Sequence, residues 1–132
     1  MRKVLVAVVL IAAVACDDGI VGSSTVTGDY TLRTINGAPL PYTITGSGAN
    51  KTEILDDVIT LFQGFTYSET IISRLTVNGQ AMNETRLKTG AFSLFGTSII
   101  LNSNDGSMER RGTINANTMT IVEAGKISVL RK

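Results

Sequence analysis

Apolar and polar residues alternate along a segment in the middle of the chain. From Phe65 to Val77 the apolar side chains fall on alternate positions, and the positions between them are mostly Thr, Ser and Arg. A period of two residues predicts a half-buried antiparallel strand. Glu69 and Ser73 fall on the apolar side of this pattern. We therefore expect the inner face of the strand either to meet water at these positions or to line a polar cavity.

Short runs of Thr, Ile, Val and aromatic residues recur along most of the chain, and Gly, Asn, Asp and Pro separate them. This spacing is typical of strands and turns. Asn78-Gly79 predicts a type I′ hairpin turn, because both residues tolerate a positive φ angle. With Phe65–Val77, the chain has about eight or nine strands, which predicts an all-β, antiparallel up-and-down barrel. The other predicted strands are Tyr30–Ile35, Pro41–Thr45, Ile54–Phe62, Thr85–Phe95, Thr97–Asn102, Ser107–Ile114, Thr118–Val122 and Lys126–Arg131.

The N-terminal residues have the composition of an export signal. Arg2 and Lys3 precede an apolar run from Val4 to Val14, which matches the charged start and short apolar core of a signal peptide. The run is shorter than the roughly 20 apolar residues that cross a bilayer. Small residues then lead to the chain's one cysteine, Cys16. We predict a signal peptide over residues 1–15.

The segment Ala13-Val14-Ala15-Cys16 resembles the lipobox of bacterial lipoproteins. The resemblance implies that the Cys16 thiol is acylated by long chains such as palmitate, that cleavage makes Cys16 the new N-terminus, and that the protein is anchored to a membrane of the bacterial cell envelope. The alternative is an ordinary secretory signal cut after Ala15, which leaves a free thiol. Asp17 resembles an inner-membrane retention signal of enterobacteria, but other phyla do not all follow that rule, so the choice of membrane stays open.

The remainder of the chain divides into a tether and a domain. Residues 16–27 are mostly small and polar, which predicts a flexible tether. The segment from Gly28 to Pro41 resembles the first strand of small bacterial lipoproteins with a lipocalin-like domain, which reads G-x-Y-x-L-x-x-x-N-G-x-x-L-P. Gly90–Leu94 and later turn residues resemble the closing hairpins of the same group. The resemblance covers residues 28–132 and implies an up-and-down barrel, in some members with an internal ligand.

Composition excludes several classes of function. The chain has no histidine or tryptophan and one cysteine, which removes most transition-metal sites and the common nucleophile systems. Loss of residues 1–15 removes Arg2 and Lys3 and no acid, so the formal charge changes from +1 to about −1. The Lys and Arg residues are scattered along the chain and do not form the clustered basic face that is typical of nucleic-acid binding. We expect no cofactor, no metal site and no nucleic-acid partner.

A few charged residues are candidates for a place inside the barrel. Asp56 and Asp57 are adjacent, so in a strand they point to opposite faces and do not form a carboxylate pair with each other. Glu69 is a more distant partner that can approach one of them across a hairpin. Arg110 and Arg111 also divide between the two faces, and an inward arginine has two possible partners: Glu69 or an anionic ligand.

The leading hypothesis from the sequence is a non-enzymatic, lipid-anchored barrel whose domain faces the periplasm or the exterior and binds a protein or another partner. The alternative is a lipocalin-like carrier of a small apolar ligand. A third hypothesis is a carboxylate-based hydrolase, which requires two acids converging in a cleft. The residues predicted to line the cavity of the carrier are Phe65, Tyr67, Ile71, Phe92 and Leu94.

Overall fold

Turns with positive φ angles separate many of the strands. Asn78 and Gly79 have φ angles of 51° and 79°, as a two-residue type I′ turn requires, and they join two of the longest strands. The computed structural model describes residues 23–132. The predicted signal peptide, the lipidation site Cys16 and the first part of the predicted tether lie outside the described residues. The elements are α1 Ser23–Val26, β1 Gly28–Ile35, β2 Ala38–Pro39, β3 Tyr42–Ser47, β4 Asn50–Leu61, β5 Thr66–Val77, β6 Gln80–Phe95, β7 Ser98–Ser103, β8 Arg110–Asn115, β9 Thr118–Glu123 and β10 Lys126–Arg131.

Eight of the strands form a closed antiparallel barrel. Their order is β1-β10-β9-β8-β7-β6-β5-β4. The ring closes because β1 also pairs with β4, in a register that runs from Gly28↔Leu61 to Thr31↔Val58. The other two strands are added outside the ring, β2 on β1 and β3 on β4. The predicted all-β class and antiparallel barrel are confirmed.

Three strands are longer than the barrel that they help to form. β6 begins at Gln80 but pairs with β7 only from Gly90 onward, and β1 pairs with β4 only over residues 58–61. The remaining parts of β4, β5 and β6, together with β3, project beyond the ring as a four-stranded sheet. We call this sheet the extension; it consists of β3 and residues 50–55, 72–77 and 80–89.

The two ends of the barrel differ in how they are filled. At the end where β1 begins, which we call the closed end, the fully buried Tyr30 donates a hydrogen bond from its hydroxyl to the carbonyl oxygen of Val26 (2.8 Å). The rings of Phe65 and Phe92 also meet there, with their centroids 5.4 Å apart. The opposite end, beside the extension, is the open end. The buried apolar residues of the core are Val26, Tyr30, Leu32, Ile35, Ile59, Leu61, Tyr67, Phe92, Ile99, Leu101, Ile114, Met119, Ile121 and Leu130.

Several boundaries differ from the sequence prediction: β4 and β6 begin earlier, at Asn50 and Gln80, and three further differences have a local cause. The domain begins before Gly28, since α1 covers the closed end and Val26 is only 5% exposed, so the last part of the predicted tether belongs to the fold. Phe65 is not in a strand; it has a φ angle of 64° and lies in the β4–β5 turn. β8 begins at Arg110 rather than at Ser107. The carboxylate of Asp105 accepts a hydrogen bond from the backbone N–H of Ser107 (2.9 Å), which holds the preceding loop in a turn.

Candidate functional site

Three ionisable side chains from three strands converge inside the barrel. β4 supplies Asp57, β5 supplies Glu69 and β8 supplies Arg110. The pairs Ile59↔Glu69 and Asp57↔Ile71 place the two acids on the same face of the sheet, because side chains two residues apart on a strand share a face. We call Asp57, Glu69 and Arg110 the polar cluster.

Arg110 and Glu69 form a buried, bidentate ion pair. The Nη1 atom of Arg110 donates to Oε1 of Glu69 at 2.8 Å, and Nη2 donates to Oε2 at 2.6 Å. Glu69 is 0% exposed and Arg110 is 8% exposed. Burial by itself lowers the pKa of Arg110, but the hydrogen bonds and charge of Glu69 more than offset this and hold that pKa above its ordinary value. The two parallel hydrogen bonds show that the planar guanidinium group matches both oxygens of the carboxylate.

Asp57 is the third member of the polar cluster and behaves as a protonated acid. Burial, which is the largest cause, and the negative charge of Glu69 together raise the pKa of Asp57 from 3.8 to about 8, although the positive charge of Arg110 opposes part of this rise. Two carboxyl groups that share a low-dielectric site do not both ionise readily. At neutral pH, Asp57 therefore carries a proton, and the polar cluster has one positive and one negative charge.

This arrangement leaves particular chemistry accessible. Protonated Asp57 donates a hydrogen bond through its acid proton and accepts through its other oxygen. Both oxygens of Glu69 already accept from Arg110. Asp57 also hydrogen-bonds Glu69, so a bound molecule can contact only the remaining oxygen of Asp57, whereas Glu69 and Arg110 fix its surroundings.

The buried hydroxyl of Tyr67 and the buried carboxyl of Asp57 lie beside the ion pair. Tyr67 hydrogen-bonds Arg110, and Asp57 hydrogen-bonds Glu69. Tyr67 is 2% exposed, so its hydroxyl lies far from bulk solvent. Buried polar groups are nearly always paired, and these contacts join Tyr67 and Asp57 to the pair of Glu69 and Arg110.

The polar cluster lines a cavity of about 300 Å³ that opens at the open end of the barrel. Lys88 and the β9–β10 turn, including Glu123 and Lys126, line the same cavity. The volume lies at the lower end of the range for small-molecule pockets. The apolar part of the wall is formed by Leu32, Ile35, Ile54 and Ile71.

The five residues predicted to line an internal ligand site lie in different surroundings. Ile71 forms part of the cavity wall. Tyr67 and Phe92 are buried in the core and Leu94 packs against it. Phe65 is 43% exposed in the β4–β5 turn. The barrel thus brings one of the five to the cavity, and a ligand-binding role for the set stays a prediction.

The predicted division of adjacent charged residues between two faces is confirmed. Asp57 faces Glu69 inside the barrel, while Asp56 accepts a hydrogen bond from the backbone N–H of Asp57 (2.9 Å). Arg110 faces inward, and the exposed Arg111 pairs with Glu109. Of the two partners proposed for an inward arginine, Glu69 is the one that it contacts.

The sequence analysis did not identify Lys88, Glu123 and Lys126 as residues of the site. A signal for Lys88 was present, because a two-residue turn at Asn78-Gly79 fixes the register of β5 and β6 and places Lys88 opposite Glu69. Glu123 and Lys126 flank the β9–β10 turn, and their position at the mouth depends on closure of the ring. That closure is a long-range property that no local pattern indicates.

Residues 23–132 contain no group of three or more Asp, Glu, His or Cys side chains arranged to hold a metal ion. They also contain no helix with the length and apolar character needed to cross a bilayer. The chain matches no protein-family model and no curated protein sequence.

Proposed function

We propose that this protein is a lipid-anchored β-barrel of the bacterial cell envelope that acts as a non-enzymatic binding module and receives its partner at the open end of the barrel. The observation that carries the proposal is the polar cluster of Asp57, Glu69 and Arg110 at the base of an open cavity. The lipid anchor rests on the lipobox-like segment that ends at Cys16.

The polar cluster supports a binding role because it is not needed to fill the barrel. Burying an ion pair costs several kcal/mol of desolvation for each ion, and apolar residues of similar volume are often at least as stabilising. The closed end of the same barrel is filled by apolar and aromatic side chains, including Tyr30, Leu61 and Phe92. Because the chain fills one end with apolar side chains but keeps three ionisable groups at the other, we infer that these groups serve binding rather than packing.

The position of the chain's N-terminal side relative to the cavity fits a membrane tether. β1 begins at the closed end, where Gly28 pairs with Leu61. The cavity is lined by Glu123 and Lys126 at the opposite end. A lipid on Cys16 would attach at the closed side of the barrel, and the mouth of the cavity lies at the opposite end, where a soluble partner can enter.

A second candidate function is that of a carrier, and the cavity wall favours a particular kind of cargo. Ile54 and Ile71 lie on the same wall as Asp57 and Lys88. A molecule with a small polar head and a short apolar part would satisfy both surfaces. The ligand that we propose for the carrier is therefore amphipathic rather than wholly apolar.

The non-enzymatic part of the proposal rests on the state of the two converging acids. A carboxylate-based hydrolase needs a second acid that is free to act as nucleophile or base. Glu69 has both oxygens bound by Arg110, so Asp57 lacks a free carboxylate partner. Incubation of the purified protein with glycoside and ester substrates should show no turnover that depends on Asp57, and activity lost in Asp57→Asn would contradict this part of the proposal.

Mass spectrometry of the full chain purified from its own membranes tests the rest. We expect an acylated N-terminal Cys16, and a Cys16→Ser variant that is neither acylated nor retained in the membrane fraction. We also expect a co-purifying molecule that is lost in Arg110→Met but kept in the surface control Arg111→Met. A mature mass without lipid would contradict the anchor, and the same co-purifying molecules in both arginine variants would contradict the binding site.

A further inference from the structure

The extension has two edges, β3 on one side and β6 on the other, and the first part of β6 has no partner strand on its outer side within residues 23–132. β6 pairs with β5 along the whole stretch from Gln80 to Ala91, but β7 covers it only from Gly90 onward. Every residue from Gln80 to Leu87 is exposed. An exposed strand edge presents a row of backbone donors and acceptors that is ready to pair with another strand.

The turn at Asn78-Gly79 determines which residues carry these groups. In a two-residue hairpin the flanking pair, Val77↔Gln80, exchanges backbone hydrogen bonds, and every second residue along the strand then does the same. The odd-numbered residues of β6 therefore direct their N–H and C=O groups outward. Thr89 confirms this pattern, because its carbonyl oxygen accepts a hydrogen bond from the backbone N–H of Asn104 (2.8 Å) on that side. The outward groups with no partner in residues 23–132 belong to Ala81, Asn83, Thr85 and Leu87.

The charges along this edge are complementary to themselves. Glu84 and Arg86 flank Thr85 on the same face of the strand, and neither takes part in an ion pair within the described part of the chain. If two copies of β6 pair antiparallel about a twofold axis at Thr85, Glu84 of each copy lies directly opposite Arg86 of the other. Opposite charges at such positions stabilise strand pairing, and like charges destabilise it.

We propose that the free edge of β6 pairs with the same edge of a second copy of this chain, with Thr85 at the twofold axis. The backbone N–H and C=O groups of Thr85 then bond those of the other Thr85, and Asn83 bonds Leu87 on each side. The two extensions form one continuous sheet. The ion pair Glu84–Arg86 occurs twice across the interface.

Charge complementarity also selects this register over its neighbours. An axis shifted by one residue places either Glu84 opposite Glu84 or Arg86 opposite Arg86, in the closer type of antiparallel pair. An axis at Leu87 places Arg86 opposite Lys88. The axis at Thr85 is the one that creates two opposite-charge pairs without a like-charge pair.

Co-purification of two differently tagged full-length chains from detergent-solubilised membranes tests the proposal. We expect wild-type chains to capture each other, and capture between two Glu84→Arg chains to fall roughly tenfold because like charges then face each other. Two Arg86→Glu chains should behave in the same way. A mixture of Glu84→Arg with Arg86→Glu, and the double variant E84R/R86E with itself, should recover capture, because both restore opposite charges.

These variants should leave the fold of each subunit intact, since both side chains are exposed and form no ion pair within residues 23–132. Equal thermal unfolding temperatures check this. Wild-type chains that fail to capture each other would overturn the proposal. Equal capture by all variants would also overturn it, because the contact would then lie elsewhere.

Disulfide formation tests the register directly. Directly opposite residues of the closer antiparallel pair have Cα atoms about 4.5 Å apart, within the range that a disulfide spans. Glu84→Cys co-expressed with Arg86→Cys should therefore form an intermolecular disulfide when the membranes are treated with an oxidant. Glu84→Cys with Lys88→Cys is the matched control and should not. Cross-linking only in the control pair would overturn the axis at Thr85.

Discussion

Arg110 binds both carboxylate oxygens of Glu69 across the interior of the barrel, although the two residues are 41 positions apart in the chain. Glu69 lies near the middle of β5 and Arg110 is the first residue of β8. The strands that carry them are separated by β6 and β7 in the ring. The ion pair therefore links two non-adjacent strands across the interior of the curved sheet.

Loss of one partner of this pair should be costly. In Arg110→Met, Glu69 is left as a buried carboxylate without its donor, and we expect the free energy of unfolding to fall by about 3–5 kcal/mol. The exposed neighbour provides a matched control, because Arg111→Met breaks only the surface pair with Glu109 and should cost about 1 kcal/mol or less. Urea unfolding at constant pH measures both values, and equal losses would contradict a special role for the buried pair.

Replacing both partners should recover most of the loss. The double variant with Glu69→Leu and Arg110→Met removes both charges together, so no buried charge is left without a partner, and such replacements are often neutral or stabilising. We expect the double variant to be more stable than Arg110→Met alone. If the two losses simply add, the residues do not act as a pair.

Asp57 should make the stability of the protein depend on pH. Its pKa is about 8 in the folded protein and close to 3.8 in the unfolded chain, so the folded state binds the extra proton between these values. The stabilising effect of that proton is present below pH 4 and is lost as the pH rises to about 8, with a slope of at most about 1.4 kcal/mol per pH unit.

The measurement is urea unfolding at several pH values. Asp57→Asn resembles the protonated acid in shape, so this variant should lack the decrease in stability between about pH 4 and 8. Asp56→Asn, one residue away on the other face, should keep the decrease. A wild-type profile that is as flat as that of Asp57→Asn would show that Asp57 is ionised in the folded protein.

The local part of this site could be predicted from the sequence, whereas the cavity could not. The alternation around Glu69 placed a carboxylate on an otherwise apolar face, and the adjacent pairs Asp56-Asp57 and Arg110-Arg111 each had to send one side chain inward. These inferences depend only on the period of a strand. Which inward groups meet depends on the register and on ring closure, and the hollow beside them depends on how the side chains of eight strands fill the interior.

The predicted apolar ligand site illustrates the same difference. Their aromatic character and their place in the strand pattern predict that Phe65 and Phe92 line a cavity, but aromatic side chains are also typical of a filled core. The structure places Phe92 in the core and turns the chain at Phe65, where the φ angle is positive. Parity along a strand does not distinguish a packed interior from a cavity wall.

Gly90 is a position where packing leaves no room for a side chain. It lies opposite Tyr67 in the β5–β6 pair, and a Cβ atom there would come within 2.0 Å of the carbonyl oxygen of Asn102 and 2.8 Å of the Tyr67 ring. We expect Gly90→Ala to lower the free energy of unfolding by roughly 1–3 kcal/mol or more, because the backbone and the ring must move. Ser93→Ala in the same strand is the control, with an expected change below about 1 kcal/mol. Thermal unfolding of the two variants gives the comparison, and similar values would contradict the tight approach at Gly90.

The carrier function proposed as the second candidate predicts binding of an amphipathic probe that is blocked by filling the cavity. Ile71 lies on the cavity wall, and its neighbour Ile72 falls on the opposite face of β5, paired with Asp56. Titration of the protein with a fluorescent fatty-acid analogue should show saturable binding by wild type, a loss of affinity of about tenfold or more in Ile71→Trp, and little change in Ile72→Trp.

Thermal unfolding of both variants checks that they fold. The expected difference arises because an indole at position 71 occupies a large part of a cavity of about 300 Å³, whereas an indole at position 72 lies outside it. Equal affinities in the two variants would place the probe elsewhere on the protein, and no saturable binding by wild type would contradict the carrier function.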